Sequence, residues 1–185
     1  MIRCLKILTP LTFLRLQSPD LRAYQWTIPA ILTLLGLAGF YVLPIKPPLF
    51  TDKGLVNTIN GLLTTLIGFY IAALAAIATF NNATLDNVMK GRSPTLIGFR
   101  QGEKIEEQLT RRRFLVILFG YCAFVSIMLF AFGVLSLLIA PSLAKSAWLA
   151  GLRFVWLAIY FCISASLLVV TLLGLHYLID RIHRE

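Results

Sequence analysis

Four long apolar runs, about Trp26–Val42, Leu55–Phe80, Phe114–Ala140 and Leu152–Leu178, hold no Asp, Glu, Lys or Arg apart from Arg153 at the very start of the fourth. Each approaches or exceeds the roughly 20 apolar residues a helix needs to cross a bilayer. Hydrocarbon offers no water to backbone N–H and C=O groups, so a segment placed there must pair them internally, and these runs are helices rather than exposed strands or loops. The second, third and fourth run to roughly 26 residues, which implies tilt or ends protruding into the headgroups. A content of 58% hydrophobic and 14% charged residues lies outside the balance of a soluble domain. The expected fold class is all-α: an integral membrane protein with four transmembrane helices, assembled as a homo-oligomer. It forms a single membrane domain, 1–185, with spans at 26–43, 55–80, 114–140 and 152–178. Between them lie an interfacial segment 1–25, outer loops 44–54 and 141–151, a middle loop 81–113 and a tail 179–185.

Orientation follows from the basic residues near the span ends. One set of segments holds Arg3, Lys6, Arg15 and Arg22, then Lys90, Arg92, Arg100, Lys104 and Arg111 to Arg113, then Arg181 and Arg184; the other holds only Lys46, Lys53, Lys145 and Arg153. By the positive-inside rule both termini and the middle loop are cytoplasmic, as four crossings require. The net charge of +9 then reports topology and attraction to anionic headgroups, and direct nucleic-acid binding is not expected.

The first residues, MIRCLKILTPLTFLRLQ, lack a small-residue cleavage site, and Pro10 and Arg15 interrupt their apolar character, so they are not read as a cleaved signal. They suit either an apolar face lying in the headgroup layer or an unremarkable packed or disordered leader. Ser18, Pro19 and Asp20 match a helix start, and Pro29 is a site for a kink in the first span. Pro44, Pro47 and Pro48 impose an extended path on the first outer connection, and neither outer loop has the length of a receptor domain.

The second span carries the clearest internal pattern. Asn57, Gly61, Thr64, Gly68, Ala72, Ala75 and Thr79 recur by threes and fours and form a stripe of small and weakly polar residues along one face. Such stripes let backbones approach closely in lipid, within one protomer, between protomers, or around a water-lined pore. Phe69 and Tyr70 flank the stripe and face lipid or neighbouring helices.

The middle loop is the largest polar surface. A break at Gly91 and a helix start at Ser93-Pro94 are its local signals, and from Glu103 the spacing of Ile105 and Leu109, with Glu107 four residues before Arg111, predicts a helix running into the third span. Leu96, Ile97 and Phe99 either dip into the membrane surface, fold against the bundle or dock a cytosolic protein. With Arg100, Glu103, Glu106 and Glu107 they form the candidate docking site. Arg111, Arg112 and Arg113 sit at headgroup level as anchors.

Chemistry finds little footing. The sequence has no P-loop, dinucleotide fingerprint, HExxH or CxxC, and no paired carboxylates in a span. Cys4, Cys122 and Cys162 are scattered, and His176 and His183 have no partners at ligand spacing, so no metal or cofactor is expected. Coupled transport usually uses an intramembrane charge, and none is present. What survives is a non-enzymatic anchor or sensor for a cytosolic effector, or a small oligomeric channel.

In length, four-span plan and the runs GFYIAALAAIATF leading into a basic loop and RRRFLVILFGYCAF leading out of it, the chain resembles KwaA, the membrane subunit of the bacterial antiphage system called Kiwa. That resemblance implies an inner-membrane oligomer that responds to phage infection at the envelope and works with a cytosolic DNA-binding partner, KwaB. It carries over no functional residues.

Overall fold

The computed structural model describes residues 4–17, 22–42, 48–51, 53–79, 95–100, 103–143 and 149–182. The apolar runs fold as α1 (Ile28–Val42), α2 (Leu55–Thr79), α3 (Arg111–Leu143) and α4 (Leu149–Ile182). A π-helical turn, Ala23–Thr27, leads directly into α1. All four are long and apolar enough to cross a membrane, α1 together with that turn. At 33 and 34 residues, α3 and α4 extend about 50 Å at 1.5 Å per residue, more than the roughly 30 Å of a hydrocarbon core. They must tilt or stand out into the headgroups.

The π-turn has a local cause. Pro29 has no N–H to give to the carbonyl one turn earlier, and widening the preceding turn absorbs the missing bond. The Ile28 N–H accordingly reaches back five residues to the Ala23 carbonyl, and Thr33 Oγ1 donates to the Pro29 carbonyl at 2.7 Å.

Helix α3 is the centre of the bundle: it packs against α2 and α4, and α4 packs in turn against α1. On α2 the buried residues Val56, Leu63, Tyr70 and Ile77 recur every seven positions with Asn60 between them. This is the spacing of a helix-helix seam. Phe114, Leu118, Phe119, Cys122 and Leu129 of α3 belong to the same core. Cys122 is thus a small packing residue, whereas Cys162 on α4 is exposed.

The N-terminal residues Cys4–Arg15 form a 3-10 helix packed on α3. Phe13 is fully buried, its ring 4.9 Å from that of Tyr121, and its carbonyl accepts a hydrogen bond from Gln25 Nε2 at 2.9 Å. The described part of this segment is thus packed against the bundle.

A small antiparallel sheet joins the N-terminal segment to the loop between α2 and α3. Its strands β1 (Leu16–Gln17), β2 (Thr95–Arg100) and β3 (Glu103–Gln108) lie in the order β1-β2-β3. Leu16 pairs with Leu96, and Arg100 with Glu103. The spanning part is helical as expected, but the helix expected from Glu103 into the third span is replaced by strand β3. TLIGFR is rich in branched and aromatic residues, Gln101-Gly102 matches a two-residue hairpin link, and pairing with a six-residue partner outweighs the helix propensity of EKIEEQ. Helix α3 starts afresh at Thr110, whose carbonyl accepts from the Phe114 N–H at 3.0 Å and whose hydroxyl accepts from the Arg113 N–H at 3.4 Å. Thr110 is therefore its N-cap.

The described end of the first outer connection folds back tightly: Leu55 N donates to the Pro48 carbonyl and Gly54 N to the Thr51 carbonyl. A Cβ at Gly54 would stand 2.7–2.8 Å from backbone atoms of Leu49 and Thr51, which cannot move aside as a side chain can. The helix start at Ser18-Pro19-Asp20, the break at Gly91, the start at Ser93-Pro94, the prolines Pro44 and Pro47, and His183 all lie outside the described residues.

Candidate interaction surfaces

The stripe on α2 is turned away from the protomer. Asn57, Gly61, Thr64, Gly68, Ala72, Ala75 and Thr79 are all exposed, while the heptad seam on the other side of the helix is buried. A Cβ added at Gly61 or Gly68 would meet nothing within 4 Å. Packing inside one protomer therefore does not account for the small residues. Thr64 and Thr79 hydroxyls donate to the Asn60 and Ala75 carbonyls of their own helix at 3.0 and 2.9 Å, so the stripe presents little unsatisfied polarity. Close helix contact in lipid uses such a surface, because small residues admit a neighbouring backbone.

Within the seam, a polar residue that the stripe pattern did not single out takes the central place. Asn60 is 5% exposed, and a Cβ at Gly133 of α3 would overlap its Oδ1 and stand 2.8 Å from its Nδ2. Gly133 is the notch that receives Asn60. The Asn60 Oδ1 and Tyr160 hydroxyl atoms have no hydrogen-bond partner among the described residues. The sequence signal for Asn60 was its register: it falls between Val56 and Leu63 on the heptad face, not on the small-residue face.

Tyr70, expected to face lipid or a neighbouring helix, is fully buried and hydrogen-bonds Thr171 of α4 at 2.6 Å. Phe69 is exposed at the surface. A second tie joins Tyr121 to Ser166 at 3.4 Å, and a third runs from Trp156 Nε1 to Ser136 Oγ at 2.9 Å. Trp156 also stacks on Tyr160. The Tyr70–Thr171 tie should be modest in a membrane. A double-mutant cycle with Y70F and T171V, read from unfolding in detergent, should give a coupling of about 0.5–1.5 kcal/mol.

The three arginines at the start of α3 do not share one role. Arg112 Nη1 donates to the Ile77 carbonyl in the last turn of α2 at 3.3 Å, satisfying a helix-terminal acceptor at the negative end of its dipole. Arg111 is half-buried and Arg113 exposed. Arg112 is thus a tie between α2 and α3, in addition to any contact with headgroups.

The backbone brings the proposed docking residues onto one hairpin. Leu96, Ile97, Phe99 and Arg100 fall on β2, and Glu103, Glu106 and Glu107 on β3, with Leu96 opposite Glu107 and Ile97 opposite Glu106. β2 is the central strand and β3 an edge strand. Among the described residues, no group of three or more His, Cys, Asp or Glu is placed to hold a metal ion. Comparison with protein-family models, with curated proteins and with solved structures finds no match to this chain.

Proposed function

We propose that the chain is a non-enzymatic anchor and sensor of the bacterial inner membrane, a homo-oligomer that recruits or regulates a cytosolic effector protein through the β2–β3 hairpin. The observation that carries this reading is the sheet. It is built from two distant parts of the chain at the basic end of the bundle, and one face of β3 is left as an edge. An edge strand offers a row of backbone donors and acceptors, which partner proteins use by adding a strand. Mixed charges along Arg100 to Glu107 would add selectivity. The exposed stripe on α2 supplies the contact between protomers, and the resemblance to the Kiwa membrane subunit supplies the setting, antiphage defence with a KwaB-like soluble partner.

A channel is the second reading, favoured by the exposure of Asn57 and Thr64 on the stripe. The internally bonded threonine hydroxyls weigh against a water-lined wall.

The test is purification in mild detergent of the wild-type chain and of an R100E, E103K, E107K variant. A soluble protein should co-elute stoichiometrically with the wild type and fall by about tenfold or more with the variant, which remains in the membrane; tenfold corresponds to about 1.4 kcal/mol. A partner retained undiminished by the variant contradicts docking at the hairpin. Ion leakage from liposomes containing the purified oligomer alone would favour the channel instead.

A further inference from the structure

An apolar cleft of about 530 Å³ opens between the N-terminal 3-10 helix, the start of α1, α3 and α4, with Leu11, Leu14, Pro29, Met128, Phe132 and Ile163 among its walls. Its polar groups are already committed. Gln25 is buried and gives its amide to the Phe13 carbonyl, and the Tyr121 and Ser166 hydroxyls face one another. The cleft is therefore suited to an apolar rather than a polar occupant. Leu14, Trp26 and Met128 on its walls remain 40%, 64% and 50% exposed, so the cleft communicates with the surface of the bundle. The rim has a charge. Arg15 directly follows Leu14, and Arg22 lies one turn before Gln25; both are exposed.

We propose that this cleft holds an acyl chain of an anionic phospholipid whose phosphate is bound by Arg15 and Arg22. Hydrocarbon walls match the tail, and two guanidinium groups at the rim match a phosphate through charge-assisted hydrogen bonds. A zwitterionic lipid would fill the cleft equally well but gain less at the rim, because its headgroup carries a compensating cation. The selectivity arises from the two arginines and the shape from the N-terminal segment that closes one wall. This inference does not depend on the proposed effector or on the oligomer.

Trp26 is the natural reporter. In proteoliposomes of the W148F, W156F chain, brominated-acyl phosphatidylglycerol at low mole fraction in phosphatidylcholine should quench Trp26 about fivefold more effectively than brominated phosphatidylcholine at the same fraction, the order expected for basic side chains beside anionic lipid. R15Q with R22Q should bring the two lipids to parity. Equal quenching in the parent chain would overturn the proposal, leaving ordinary bulk lipid, and selectivity surviving R15Q with R22Q would overturn the headgroup assignment. Native mass spectrometry from mixed nanodiscs should show a retained phosphatidylglycerol that A30F, which fills the cleft wall, removes and that I139F, an exposed site elsewhere on α3, leaves in place. Retention unaffected by A30F would contradict the site.

Discussion

Replacing Gly68 and Ala72 with leucine should abolish the self-association proposed for the α2 stripe while leaving each protomer folded. Both positions are exposed on α2, and Gly68 has open space where a side chain would grow, so the protomer accommodates the change. A neighbouring helix seated on the stripe would not. Bulk there separates backbones that small residues allow to approach, and helix association in lipid depends on that packing because no hydrophobic force holds helices together. The dissociation constant in detergent should rise by about tenfold or more, about 1.4 kcal/mol. Cross-linking and analytical ultracentrifugation provide the measurement, with L172F on the exposed face of α4 as a control that leaves assembly unchanged. An unaltered distribution in the Gly68, Ala72 variant would remove the stripe as an interface.

The second large effect lies inside the protomer. Gly133→Val places methyl groups where the Asn60 side chain sits, forcing α2 and α3 apart at a seam that holds Val56, Leu63, Tyr70 and Ile77. Overpacking of this kind costs about 1–3 kcal/mol. The cost is specific: adding N60A should recover most of it by reopening the notch, whereas N60A alone should be nearly neutral, since it removes a buried acceptor without a partner together with its contacts. Thermal unfolding in detergent of the four chains separates the outcomes. A Gly133→Val chain as stable as wild type, or one that N60A fails to rescue, would mean that Asn60 and Gly133 do not interlock.

These expectations divide along the line between what composition and register dictate. The spans were legible because an uncharged apolar run has few ways to exist other than as a membrane helix. The stripe on α2 was legible as a pattern, yet its direction was not. Gly61 or Gly68 looks the same in sequence whether it faces a partner helix of its own chain or the outside. Tyr70 and Asn60 belong to the opposite, heptad face, where the period of seven from Val56 to Ile77 was the available signal. The hairpin was obscured by EKIEEQ, whose residues favour helix and whose Glu107–Arg111 spacing suits one; the competing signal was the two-residue Gln101-Gly102 link between runs of equal length. Leu16 as a strand partner of Leu96 could not be read locally, because that pairing joins residues 80 positions apart.

The proposed role of the hairpin depends on a bundle that crosses the bilayer four times with its basic end, the hairpin included, facing the cytoplasm. In a chain whose Cys4, Cys122 and Cys162 are replaced by alanine, a membrane-impermeant maleimide applied to spheroplasts should label K53C, in the connection between α1 and α2, and should label Q101C, between β2 and β3 in sequence, only after the membrane is opened. Labelling of Q101C in intact spheroplasts, with K53C protected, would contradict that topology and with it the docking role of the hairpin.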